Sequence, residues 1–267
     1  MKSPAFAYLA VCLGIISVLF TGCPEDATAP PAGGGVVPIT ANLFPLVVGN
    51  KLTYTGYAKA PGTGATIPDP NGSYKSIWTI ATNSFPTPLG GTATAIIDST
   101  TIPFGSSTGT DTTVARFLLV QQDSSGDFLF LQTIGPFKRL FGIPVTTPVD
   151  TFIWVAVARP SQGVGSTGAV WTAYDASFTA ADGITVVRLQ IFGQIEAMET
   201  IQDSTGTDRE TFRSRTWRRL TVGGSIIQDD ATTSQLWLTA DLGPVQINIE
   251  EDTENLGHFR VLSGINF

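Results

Sequence analysis

The sequence predicts an all-β domain: a single antiparallel, strongly curved sheet or half-barrel, with a β-sandwich as the alternative. Three observations predict it. Runs rich in β-branched and aromatic residues alternate with polar ones. Clusters of Gly, Asp, Ser and Thr interrupt these runs at short intervals. Apolar residues rarely recur at the three-and-four spacing of a helix. Strand after strand with no helix between favours antiparallel hairpins over a parallel sheet.

The elements follow in order. Lys51 to Tyr57 opens the series with near alternation, and Tyr74 to Thr82 carries Tyr74, Ser76, Trp78 and Ile80 on one face. Thr92 to Asp98 is the third strand. Val114 to Gln122 and Phe128 to Ile134 flank the hairpin connection Asp123-Ser124-Ser125-Gly126-Asp127. Phe152 to Ala158 is almost continuously apolar and reads as a buried strand. Val170 to Phe178 and Ile184 to Phe192 flank Ala181-Asp182-Gly183, and the second of these runs on toward Gln202. Asp203 to Asp208 turns the chain into Glu210 to Val222, and Gly223-Gly224 turns it again into Ser225-Ile226-Ile227. Thr233 to Ala240, Val245 to Glu250 and Phe259 to Leu262 complete the set. No strict repeat is visible, which argues against a propeller or solenoid.

The N-terminus reads as an address. Lys2 precedes an uncharged apolar run from Ala5 to Phe20, too short to span a bilayer comfortably, and small Thr21 and Gly22 precede Cys23. This pattern resembles the lipobox of bacterial lipoproteins. The resemblance implies removal of residues 1–22, a diacylglyceryl thioether on Cys23 and acylation (palmitate or a similar chain) of the new amine. The membrane partner is then lipid, held through Cys23. Pro24 follows the cysteine rather than Asp, which in well-studied envelopes goes with the outer membrane. Residues 23–41, with Pro30-Pro31, Gly33-Gly34-Gly35 and Pro38, read as a flexible tether. Residues 42–267 read as one β-rich domain.

Composition narrows the chemistry. Without Lys2 the mature chain has 14 basic residues against 22 acidic ones, a net charge of −8. Such a surface repels nucleic acid. The chain has two cysteines, and Cys12 lies in the removed segment while Cys23 takes lipid, so no disulfide, thiolate metal site or cysteine nucleophile is expected. His258 is the single histidine and reads as a turn or surface residue. No Gly-x-Ser-x-Gly elbow or phosphate-cradling loop occurs. Glu250, Glu251, Asp252 and Glu254 read as a solvated turn rather than a Ca²⁺ loop. Glu196 and Glu199 stand three apart, on opposite faces of a regular strand, and make a poor hydrolytic pair. No metal, cofactor or catalytic residue is expected.

The densest local feature is Arg209, Arg213, Arg215, Arg218 and Arg219. On a regular strand Arg213, Arg215, Trp217 and Arg219 share one face, where they grip an anionic ligand or pair with acids such as Glu196 and Glu250 on neighbouring strands. Two segments also carry a resemblance. Leu43-Phe44-Pro45-Leu46-Val47-Val48-Gly49-Asn50-Lys51-Leu52-Thr53-Tyr54 resembles the opening of many exported bacterial lipoproteins. Leu236-Trp237-Leu238-Thr239-Ala240-Asp241-Leu242-Gly243-Pro244-Val245-Gln246 resembles their aromatic strand and Gly-x-Val strand. The resemblance implies export and a curved antiparallel sheet. The large apolar surface of Trp237 suits the concave side of such a sheet. Three functions are open: a non-catalytic, outer-membrane-anchored binding or presentation module; a carrier of an apolar ligand lined by Trp78, Trp154, Trp171, Trp217 and Trp237; and an acid-only hydrolase.

Overall fold

A computed structural model of the chain describes Ile39 and residues 42–60, 64–69, 72–103, 111–123, 126–133, 139–140, 143–146, 152–163, 170–249 and 257–267. Cys23, most of the tether and the acidic run from Glu250 to Glu254 lie outside the described residues. The strands are β1 Lys51–Lys59, β2 Lys75–Pro86, β3 Thr92–Ile102, β4 Thr112–Gln122, β5 Phe128–Thr133, β6 Arg139–Leu140, β7 Ile143–Pro144, β8 Phe152–Ala158, β9 Trp171–Thr179, β10 Val186–Gln202, β11 Asp208–Val222, β12 Ser225–Thr239, β13 Gly243–Ile249 and β14 Gly257–Asn266. Twelve of them form one sheet in the order β8-β5-β4-β3-β2-β1-β14-β13-β12-β11-β10-β9, and β6 and β7 form a separate ladder. Every pairing in the sheet is antiparallel. The sheet is strongly curved and nearly closed, so the sandwich alternative gives way.

The order has a simple logic. The domain's first and last strands, β1 and β14, pair at its middle, and meanders run outward from them in both directions. The inward face is the one that alternation assigns to the core. Leu52 and Tyr54 on β1, Trp78 and Ile80 on β2, Ile96, Val120, Phe128, Val155, Leu236, Val245, Ile247 and Leu262 form one buried cluster. The entry segment closes one end. Leu43 and Phe44 are buried in that cluster, Ile39 packs against it, and Asp241 N donates to Asn42 O at 2.7 Å. The β2–β3, β10–β11 and β12–β13 turns lie at this entry end; the β9–β10 and β11–β12 turns lie at the far end.

Closure does not use a continuous backbone ladder. Edge strand β8 meets β9, β10 and β11, and side chains make the seam. Trp171 Nε1 donates to Ala156 O at 2.9 Å, and Ser214 Oγ donates to Val157 O at 2.5 Å, where the β5–β8 register skips a residue. Gly193 faces Trp171 across the β9–β10 ladder, and a Cβ there would stand 2.3 to 2.4 Å from the indole. The glycine is what admits the ring that holds the seam.

Several sequence expectations change in extent: β2 continues past Thr82 to Pro86 and β3 past Asp98 to Ile102. β12 runs unbroken through Gln228 and Asp229, where polar residues suggested a break, because register shifts against β11 absorb the irregularity. β14 extends from Gly257 to Asn266, well beyond Phe259 to Leu262.

Candidate functional site

Among the described residues, two constellations of charged and aromatic side chains bear on function. The first is the arginine ladder of β11, on the convex face. Phe212 and Ser214 point inward, so Arg213, Arg215 and Trp217 point outward. Arg213 Nε donates to Glu196 Oε2 at 3.1 Å, and its Nη1 lies 3.3 Å from Glu199 Oε1. Arg215 Nη1 lies 3.5 Å from Glu196 Oε1, while its guanidinium sits 5.2 Å over the Trp217 ring. Arg219 forks onto Asp229 at 2.8 and 3.1 Å and lies 5.5 Å over Phe192. Phe192 and Trp217 pack at 5.8 Å. Each of these three arginines therefore already holds an acid, as the cross-strand alternative anticipated. Glu196 serves in that role, whereas Glu250 is outside the described residues.

The spacing argument for Glu196 and Glu199 is corrected. A bulge between Ile195 and Ala197 shifts the register, and both carboxylates converge on Arg213. Trp237 also departs from expectation. It alternates with Leu236 and Leu238, which are in the inward cluster, so it lies on the convex side, where its Nε1 donates to Glu199 Oε1 at 2.7 Å. Of the five tryptophans, Trp78 is part of the inward core and Trp171 closes the seam. Trp154 packs with Ala93, Ala95 and Leu119, on the opposite face of their strands from Ile96 and Val120.

The second constellation was not singled out in the sequence. It lies on the inward face toward the far end, on β2, β3 and β14. Asp98 Oδ2 accepts from Arg260 Nη1 at 2.9 Å, and Oδ1 accepts from Ser76 Oγ at 2.8 Å and Thr100 Oγ1 at 2.7 Å. Arg260 Nη2 donates to Thr100 Oγ1 at 3.2 Å, and its Nε donates to Tyr74 Oη at 3.0 Å. The same Tyr74 hydroxyl hydrogen-bonds with His258 Nδ1, 3.2 Å away. His258 is thus a buried strand residue, 2% exposed, and not the turn or surface residue expected. Gly56 pairs with Arg260, and a Cβ there would lie 1.9 Å from Phe259 O, so only glycine lets the strands close beside this network.

Electrostatics fix the charge states. Burial pushes the Asp98 carboxyl up, but Arg260 and the hydrogen bonds from Thr100 and Ser76 outweigh it and hold the group below its ordinary value. Burial and the charges of Arg260 and Arg116 push the His258 imidazole down to about 3, against the smaller effect of Asp98. Burial raises the Tyr74 phenol, against the effect of Arg260. His258 is therefore neutral. Its Nε2 and the Trp78 Nε1 find no hydrogen-bond partner among the described residues. An orphaned buried polar atom costs about 1–3 kcal/mol. The sequence did hold a signal: Asp98 and Arg260 are charged residues at core-facing positions of alternating strands.

Among the described residues no group of three His, Cys, Asp or Glu side chains is placed to hold a metal ion. A cleft of about 440 Å³ opens at the entry end between Met198, Arg209, Glu210, Phe212 and Thr239. No protein-family model and no curated protein matches the chain. Two solved structures are similar in backbone. One is a candidate lipoprotein from Parabacteroides distasonis, 13% identical, TM-score 0.43, over 85% of this chain and 99% of that one. The other is a candidate exported protein with a YmcC-like fold from Bacteroides fragilis, 10% identical, TM-score 0.34, over 85% and 100%.

Proposed function

We propose that the chain is an exported lipoprotein, tethered to the outer membrane through acylated Cys23, and that its β domain is a non-catalytic binding or presentation module. The observation that carries this reading is the filled concave face. Leu43, Phe44, Tyr54, Trp78 and Phe128 occupy it at the entry side, and the Asp98–Arg260–Tyr74–His258 network occupies it toward the far end. Contacts with other molecules then fall to the exterior. The proposed contact face is the convex ladder of Arg213, Arg215, Trp217, Arg219 and Trp237, which combines flat rings with guanidiniums in a nearly neutral array. An anionic ligand there would exchange with Glu196, Glu199 or Asp229 for the same guanidiniums.

The carrier reading has one observation in its favour, the cleft at the entry end, which sets Met198, Phe212 and Ala240 beside the charged Asp208, Arg209 and Glu210. The anchoring is tested by growing cells with radiolabelled palmitate. Label is expected in the wild-type chain and absent from Cys23→Ser. Label retained in Cys23→Ser would sink the lipoprotein reading.

A further inference from the structure

The entry end of the domain carries apolar side chains where a turn normally carries polar ones. Val47, Val48, Gly49 and Asn50 form a four-residue turn, closed by Asn50 N donating to Val47 O at 3.1 Å. Its third residue, Gly49, takes φ +98°, a conformation that valine avoids. The geometry constrains Gly49 but makes no demand on Val47 and Val48, and both point to solvent, 55% and 51% exposed. Phe267 is 63% exposed and follows Asn266, which pairs with Lys51 directly after the turn. The next hairpin at this end, Thr87 to Gly90, places exposed Leu89 at its tip. Lys51 is exposed between these groups.

We propose that this rim, centred on Val47, Val48 and Phe267, seats on the lipid bilayer that holds Cys23; the inference rests on the acylation of Cys23 proposed above. The tether decides the occupant. Cys23 precedes Ile39, the first described residue, which packs on the domain, by sixteen positions rich in Gly and Pro. A random coil of that length has a root-mean-square span of about 22 Å. The far end also exposes Ile184, Ile226 and Ile227, but it lies beyond the fifteen-residue strand β11, about 50 Å of strand away. A membrane anchor therefore holds the entry rim nearer to lipid than the far end. Valine and phenylalanine side chains gain by leaving water for the acyl boundary, and the Lys51 ammonium suits anionic headgroups.

The mature chain offers a clean test, because Cys23 is its single cysteine. A new thiol at Val48→Cys, and separately at Ile226→Cys, is labelled with bimane in the full-length acylated protein. The protein is then placed in phosphatidylglycerol vesicles that carry nitroxide on the acyl chains. The expected result is loss of fluorescence and a blue shift at position 48, neither at position 226, and recovery of the signal at position 48 when Val47→Asp is added. Equal quenching at both positions, or none at either, overturns the proposal. Intact mass on the same sample reports acylation separately. An acylated protein with an unquenched probe at position 48 overturns the rim alone, and a missing acyl mass removes its premise.

Discussion

Asp98→Ala is expected to cost about 3–5 kcal/mol of folding stability, a large share of what a domain of this kind possesses. The carboxylate is the counter-charge of Arg260, whose side chain is 2% exposed, and it accepts hydrogen bonds from Ser76 and Thr100 as well. Its removal leaves a buried guanidinium uncompensated and two hydroxyls without their acceptor. Burial would lower the arginine's proton affinity, yet Tyr74 and Asp98 raise it above its ordinary value, so the guanidinium does not escape by losing its proton. The second arm separates charge from packing. Asp98→Ala with Arg260→Met is expected to recover the part of the loss that comes from the uncompensated charge, because the buried guanidinium is gone as well. Urea denaturation midpoints of the two variants measure both. A single variant within about 1 kcal/mol of wild type would show that the pair is not the buried charge couple described.

Acid is expected to weaken the fold from pH 6.5 downward, through His258. In the unfolded chain this imidazole binds a proton near pH 6.5, whereas in the fold it stays neutral until about pH 3. Between those values the unfolded state holds more protons, so stability falls as pH falls, by about 4–5 kcal/mol across the window. The groups facing the imidazole are Tyr74 at its Nδ1 and the charges of Arg260, Arg116 and Asp98, and both arginines oppose protonation. Carboxylates act lower. Asp98 is held below its ordinary value, and Asp203 is held at about 2: burial pushes it up, but hydrogen bonds from Thr205, Thr207 and Arg209 outweigh that. Their stabilisation is present above about pH 4 and is lost as pH falls through their lowered values. Urea midpoints at a series of pH values should therefore slope between pH 6.5 and 4 in the wild type and flatten in His258→Gln. Parallel curves for the two proteins would contradict a buried, neutral His258.

Much of this fold was legible because period-two alternation is a direct consequence of a sheet with one buried face. Tyr74, Ser76, Trp78 and Ile80 were read onto one face, and all four point inward. The features that escaped depend on departures from that period. A single bulge at Glu196 inverted the relation of Glu196 to Glu199. Trp237 was assigned by its bulk to the concave side, when Leu236 and Leu238 already occupied it. His258 was read as a turn or surface residue, and its burial depends on Tyr74 and Arg260, one of them almost two hundred positions away. The strand closure through Trp171 and Gly193 was equally invisible, since it joins opposite edges of the sheet.

The account turns on a domain whose concave face is filled by its own side chains. Native mass spectrometry of a Cys23→Ser soluble form, purified gently from the envelope, tests this most directly. The predicted result is the mass of the bare chain, because Phe44, Trp78 and Phe128 already pack together where an apolar ligand would lie, with ring centroids 6.0 to 6.2 Å apart. A lipid-sized molecule retained at one per chain would contradict the account and establish the domain as a carrier.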